Sequence, residues 1–325
     1  MKILITGVAG FAGSHLAELL LNDGEEIAGT VLPDESLRNI QTFTSRVRQF
    51  RCDLRDADAV SAMMAQVKPD EVYHLAALAF IPDSVVDPRL TFDTNLYGTL
   101  NLFEAVKKLG LRPRILFVGS ADEYGLVGKG ELPITEENPL RPANPYSVSK
   151  VSASMLAYQY GLSRRIHVVR VRPFNHTGPR QSPRFVCSDF ARQIVAVERR
   201  RRPPEISVGN LTPKRDFSDV RDVVRAYRDV LRRGQSCEVY NICSGKSAAV
   251  GEILDMLVSL SGTKLRIVER SDRTRKSDVD EIRGDFTRIE RATGWRPEIP
   301  LEDTLKDLIE YWRENNEEAI SCQEC

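Results

Sequence analysis

Apolar residues recur along this chain in two alternating rhythms, short runs of strand length and longer segments with helical spacing. The first run, Ile3-Leu4-Ile5, turns through Gly7, Gly10 and Gly13 into Ser14 to Asp23, where Leu16, Leu19 and Leu20 share one face and Gly24 is the stop. Glu26 to Val31, Val47 to Cys52, Glu71 to Leu75 and Arg114 to Val118 read as further strands. Helices are expected over about Asp56 to Val67, Leu90 to Leu109 and Pro145 to Gly161. Strand alternating with helix predicts an α/β fold, a doubly wound parallel sheet covered on both faces by right-handed crossovers. The chain should leave this sheet near Pro173, return through Asp216 to Ile242 and finish in a smaller domain. The expected bounds are 1–173 plus about 213–247 for the first domain and about 174–212 plus 248–313 for the second, with a polar tail at 314–325.

The opening strand, glycine turn and helix together form a dinucleotide clamp by mechanism. The first glycine allows the turn, the second lets a pyrophosphate approach the backbone, and the third lets helix pack on strand. Phosphates then meet free N–H groups and the positive end of the helix dipole. Gly7, Gly10, Phe11, Ala12 and Gly13 are therefore candidate cofactor contacts. An acidic residue at the end of the second strand would take the ribose hydroxyl of NAD, and an Arg would accommodate the extra phosphate of NADP. Thr30-Val31-Leu32-Pro33 has neither, and Asp34 and Arg38 nearby point in opposite directions, so NADP or NAD stays open. Asp53, with Leu54, either bonds an adenine amine or caps a helix. After it, Leu75-Ala76-Ala77 supplies small residues over which a nucleotide can lie, and His74 before them reads as a packed strand residue.

Polar groups gather where the fifth strand ends, at Ser120, Ala121, Asp122 and Glu123. Tyr146 and Lys150 stand four apart on one helical face, so an ammonium can stand near a phenol. A free tyrosine has a pKa of about 10, and the neighbouring cation is expected to lower it toward the working range of a proton shuttle. Ser120 would hydrogen-bond the same substrate oxygen.

Composition narrows the partners. Among 325 residues, 46 basic and 46 acidic side chains cancel, which gives no global field to draw the chain to nucleic acid or to an anionic membrane. No apolar run approaches the roughly 20 residues of a bilayer span, and a cytoplasmic protein is expected. Six cysteines in this length make no disulfide scaffold. Cys322-Gln323-Glu324-Cys325 has metal spacing but no second ligand pair, so no metal is expected. Arg199 to Arg202 read as a helix end.

The Gly7, Gly10, Gly13 turn, Ser120 and the Tyr146-x-x-x-Lys150 pair resemble the extended short-chain dehydrogenase/reductase family, from Met1 to about Arg313. The resemblance implies a Rossmann-type sheet with a smaller C-terminal α/β substrate domain, a bound nicotinamide cofactor and a nucleotide-sugar substrate. It casts Tyr146 as proton donor or acceptor, Lys150 as its activator and ribose ligand, and Ser120 as partner of the reacting oxygen. The stretch Arg172-Pro173-Phe174-Asn175-His176-Thr177-Gly178-Pro179-Arg180-Gln181 looks like the GDP-6-deoxy-D-mannose reductases, and GDP-mannose 4,6-dehydratases share less of it. Val208-Gly209-Asn210-Leu211 and Lys214-Arg215-Asp216-Phe217 look like the same GDP-sugar branch. Asn175, Asn210, Arg215, Arg275 and Asp278 then become candidate sugar-nucleotide contacts, and His176 is read as structural. Family members pair through the long helices as a four-helix bundle, so a homodimer is implied.

Reductase and dehydratase part after hydride transfer at sugar C4. A dehydratase needs an extra acid/base pair; the matching positions here are Ser120, Ala121 and Asp122. Ala121 moves no proton and Asp122 is a methylene shorter than Glu, which favours the reductase, while Glu123 keeps the dehydratase open, with Asp122 a further catalytic candidate. A non-catalytic nucleotide-binding protein on the same fold is the third class.

Overall fold

The computed structural model describes residues 1–164, 166–270 and 279–315. Seven parallel strands make the large sheet: β1 (Lys2–Thr6), β2 (Glu26–Val31), β3 (Val47–Arg51), β4 (Glu71–His74), β5 (Arg114–Val118), β6 (Val168–Pro173) and, after three strands that lie elsewhere, β10 (Val239–Ile242). Their order is β10-β6-β5-β4-β1-β2-β3, with β1 and β4 adjacent at the centre. The order reverses there, and that point is where a doubly wound sheet opens a crevice.

Both faces are covered, as continuous apolar strands demand. One face holds Ile3, Ile5 and Leu116 against Leu16 and Leu20 of the first helix, Phe11–Asn22, and Val223 and Tyr227 of the helix Val220–Arg233. The other holds Leu4, Val72 and Ile115 against Met63, Phe103 and Ala157. The helix expected over Leu90 to Leu109 is broken into Pro88–Phe92, a π-turn at Asp93–Tyr97, and Gly98–Lys108. Buried Asn95 sits in that widened turn, exchanging bonds with the Leu78 backbone at 2.8 and 3.1 Å and donating to Ser149 Oγ at 2.9 Å. Such turns mark places where a helix gives up regularity to present a side chain.

The smaller layer is built from β7 (Asn175–Thr177), β8 (Glu205–Val208), β9 (Lys214–Asp219), β11 (Ser247–Ala249), β12 (Arg266–Glu269) and β13 (Glu281–Ile282). β9 pairs with β7, β11 and β13, and β8 pairs with β12. β9 gives way at Val220 to the helix Val220–Arg233, which packs on the large sheet. Phe190, Leu254, Leu308 and Trp312 form the core of this layer. Among the described residues, no helix is long and apolar enough to cross a membrane.

Candidate active site

At the C-terminal ends of β1, β4 and β5 the sheet opens on a cavity of about 590 Å³. Gly7, Gly10, Phe11, Ala12 and Gly13 form its floor. Gly7 takes a φ of +72°, and a Cβ at Gly13 would stand 2.1 Å from the Gly7 carbonyl oxygen, so turn and helix meet backbone to backbone. The helix Phe11–Asn22 begins at Gly10, which brings no side-chain cap to the first-turn N–H groups. Those donors, with the helix dipole behind them, fit the diphosphate of a dinucleotide.

Beyond β2, Glu35, Ser36, Arg38 and Asn39 line the same cavity. Arg38 Nη2 donates to Asn315 Oδ1 at 2.8 Å, and Asn39 Nδ2 to the Ala9 carbonyl at 3.0 Å. Of the two residues left in balance by sequence, Arg38 reaches the cavity, while Asp34 is exposed outside its lining.

The expected cofactor contacts divide. Leu75 and Ala77 line the cavity; Ala76 stands behind them, its N–H donating to Thr6 Oγ1 at 3.0 Å. Leu54 is packed in the core. Asp53 is turned to Arg55, a pair 2.5 Å apart, and the helix cap is Asp56, which accepts from the N–H groups of Asp58 and Ala59. His74 is buried between Thr6 and Thr99, each hydroxyl 2.8 Å from a ring nitrogen, and burial drives its pKa down to about 3.

Ser120, Asp122, Tyr146 and Lys150 converge on the cavity. The Lys150 ammonium donates to the Val118 carbonyl at 2.6 Å and lies 5.2 Å over the Phe117 ring. Burial lowers its pKa to about 8, opposed by the charge of Glu123. Burial also pushes the Tyr146 phenol above its ordinary value, the Asp122 charge adds to this, and the Ser120 hydroxyl pulls the other way. The expected lowering by Lys150 is therefore corrected: its ammonium is held by a strand-end carbonyl, and desolvation of the phenol dominates. Ser120 Oγ donates to Asp122 Oδ2 at 3.3 Å, and burial raises the Asp122 carboxyl against that bond and the charge of Arg215.

Glu123 is turned out of the cavity, fully buried and paired with Arg172 at 2.8 Å. Asn175 lines the cavity. Arg215 stands close enough for its charge to act on Asp122, and its Nη1 donates to the Lys214 carbonyl at 2.7 Å. Asn210 lies outside the lining, its Oδ1 accepting from Thr212 N at 3.0 Å and Oγ1 at 2.9 Å. Arg275 and Asp278, like the Cys322 and Cys325 pair, lie outside the described residues.

Sequence reasoning missed part of the wall. His176, read as structural, lines the cavity and stacks on Phe11 with centroids 5.8 Å apart and planes 9° from parallel. Arg180 and, from the final helix Leu301–Glu314, Tyr311 and Trp312 also line it. His176 and Arg180 carried a signal, since they follow directly on β6 at the sheet's ligand edge. Tyr311 carried none, because an aromatic at helical spacing reads as core.

A family described as GDP-mannose 4,6 dehydratase matches residues 4–308. GDP-6-deoxy-D-mannose reductase of Pseudomonas aeruginosa is 35% identical, covering 96% of this chain and 97% of that one. GDP-mannose 4,6-dehydratase of Vibrio cholerae serotype O1 is 29% identical, covering 94% and 92%. Among solved structures, that of RMD from Pseudomonas aeruginosa complexed with NADPH superposes with a TM-score of 0.84 at 34% identity, covering 97% of this chain and 99% of that one.

Proposed function

The chain belongs to the GDP-mannose 4,6-dehydratase family of nucleotide-sugar enzymes, and from that premise we propose that it reduces the C4 keto group of GDP-4-keto-6-deoxy-D-mannose, giving GDP-D-rhamnose, with NADPH. The observation that carries this reading is the withdrawal of Glu123 into its pair with Arg172. With Ala121 beside it, that leaves Asp122 as the carboxyl next to Ser120 and Tyr146 among the described residues, where a dehydration at C5 and C6 requires a second acid/base group.

A nicotinamide dinucleotide held by the glycine loop would supply the hydride. The residues handle the oxygen and its proton. Ser120 donates to the C4 oxygen as charge develops there. Tyr146, kept protonated by burial, gives that oxygen its proton. A phenol that stays protonated has its proton to give across the neutral range. Lys150 places a positive charge beneath the pair. Ser36 and Arg38 at the adenosine end support NADPH over NADH, since a guanidinium matches a phosphate. Asn175 in the lining and the charge of Arg215 beside Asp122 support a sugar-nucleotide role for both.

Asp122 also favours a second reading, the dehydratase, because its raised carboxyl touches the same serine. Purified chain mixed with NADPH and the keto sugar should lose absorbance at the nicotinamide wavelength, faster than with NADH. Conversion of GDP-mannose to the keto sugar without that loss would install the dehydratase instead, and neither reaction would leave a binding protein. The ammonium of Lys150 is present below its pKa of about 8 and is lost as pH rises through it. kcat/KM, which reports the free enzyme, should accordingly fall with a midpoint near that value; a profile flat through it would detach Lys150 from turnover.

Val86, Tyr97, Met155, Tyr158 and Leu162 are exposed on the helices around 81–108 and 145–164. A second copy pairing through those helices would cover them, which supports a homodimer. Light scattering at the mass of one chain would remove it.

A further inference from the structure

Behind Ser120 runs a buried polar chain to which the proton and hydride steps assign no part. Glu123 Oε1 accepts the Ser120 backbone N–H at 3.0 Å, while Oε2 accepts Arg172 Nε at 2.8 Å. Arg172 Nη1 donates to the Tyr124 hydroxyl at 3.1 Å, which donates to Asn241 Oδ1 at 2.7 Å. Asn241 Nδ2 ends the chain on the Ile134 carbonyl at 3.0 Å. Gly119 makes room for it, because a Cβ there would stand 2.1 Å from Glu123 Oε1.

A glutamate bonding back to a serine N–H is ordinary at an exposed turn. Here both partners of the charge pair are buried, and Arg172 belongs to β6, the strand beside the one that delivers Ser120. A buried ion pair is seldom a net source of stability compared with apolar residues of the same volume. Its particular consequence in this molecule is local: it clamps the backbone of Ser120 to the neighbouring strand. The side chains of Ser120 and Asp122 then face the cavity in one arrangement, Ser120 Oγ donating to Asp122 Oδ2 at 3.3 Å and accepting from the Asp122 backbone N–H at 3.1 Å.

We propose that Glu123, held by Arg172, is a positioning residue that fixes Ser120 for the reacting oxygen; this rests on the reading of Ser120 and Tyr146 as the reacting pair. Removing one partner strands the other's charge, so the test replaces both, Glu123→Leu with Arg172→Met. The folded double variant should lose kcat by roughly 10- to 100-fold, the scale of a displaced catalytic group, with NADPH affinity retained. Hydrogen–deuterium exchange in the peptide spanning Ser120 should accelerate. Glu123→Gln, which keeps an acceptor for the Ser120 N–H, should retain more of kcat than the double variant. If the double variant does not fold, Glu123→Ala alone, which removes that acceptor, serves as the test, a kcat below that of Glu123→Gln supporting the proposal and a kcat equal to wild type overturning it. Wild-type kcat and unchanged exchange in a folded double variant overturn it too. If the wild-type chain itself does not turn over the keto sugar, the functional reading fails separately. Exchange at Ser120 then decides the positioning, faster in the double variant supporting it and unchanged defeating it.

Discussion

Tyr146→Phe is expected to lower kcat by about 10²- to 10⁴-fold, the contribution of a positioned general acid. The phenol is buried at the cavity wall, 7% exposed, so the ring keeps its packing when the hydroxyl is removed. Under the proposed reduction, binding of the GDP-sugar should hold, because what is lost would be a proton delivered only as the C4 oxygen gains charge. An interaction made only in the transition state lowers kcat and kcat/KM together. Steady-state kinetics beside calorimetric titration with GDP-sugar therefore checks it. Near-normal turnover would take Tyr146 out of the reaction, and a matching collapse of affinity would make it a binding residue instead.

Gly13→Ala should have the largest effect among changes remote from the reacting oxygen. The added methyl would be 2.1 Å from the Gly7 carbonyl oxygen; the methyl is fixed to its Cα and the oxygen is backbone, so no side chain can swing away. Overpacking of this kind costs about 1–3 kcal/mol. The relief available is to lift the turn off the helix, which spoils the loop meant for the diphosphate. At Gly10 the corresponding Cβ would lie 3.2 Å from the same oxygen, and Gly10→Ala should be milder. Fluorescence titration with NADPH and a thermal melt separate lost binding from lost fold. A folded Gly13→Ala variant with wild-type NADPH affinity would show that the loop does not hold the cofactor.

Neither the pKa of Tyr146 nor the task of Glu123 could be read from spacing. Tyr146 and Lys150 are four apart, and helix geometry alone puts them on one face; whether the ammonium lowers the phenol depends on what else the ammonium bonds and how dry the phenol is. Val118 supplies the first answer and burial the second. Glu123 follows Asp122 directly in the chain, yet one carboxyl enters the cavity and the other is drawn back to an arginine 49 residues further on.

By itself the sequence determined the parallel α/β sheet and the glycine turn after β1, because each is written in local periodicity or in residues close together along the chain; it put forward Ser120, Tyr146 and Lys150, and the fold is what brings them to one cavity. Only the tertiary structure decided that Arg38, and not Asp34, faces the cavity, that Asp53 turns to Arg55, and that Tyr311 from the final helix reaches a site begun at Gly7. Those outcomes depend on which distant segments pack together, and a chain's local pattern carries no record of the direction a loop takes once its two ends are fixed by the sheet.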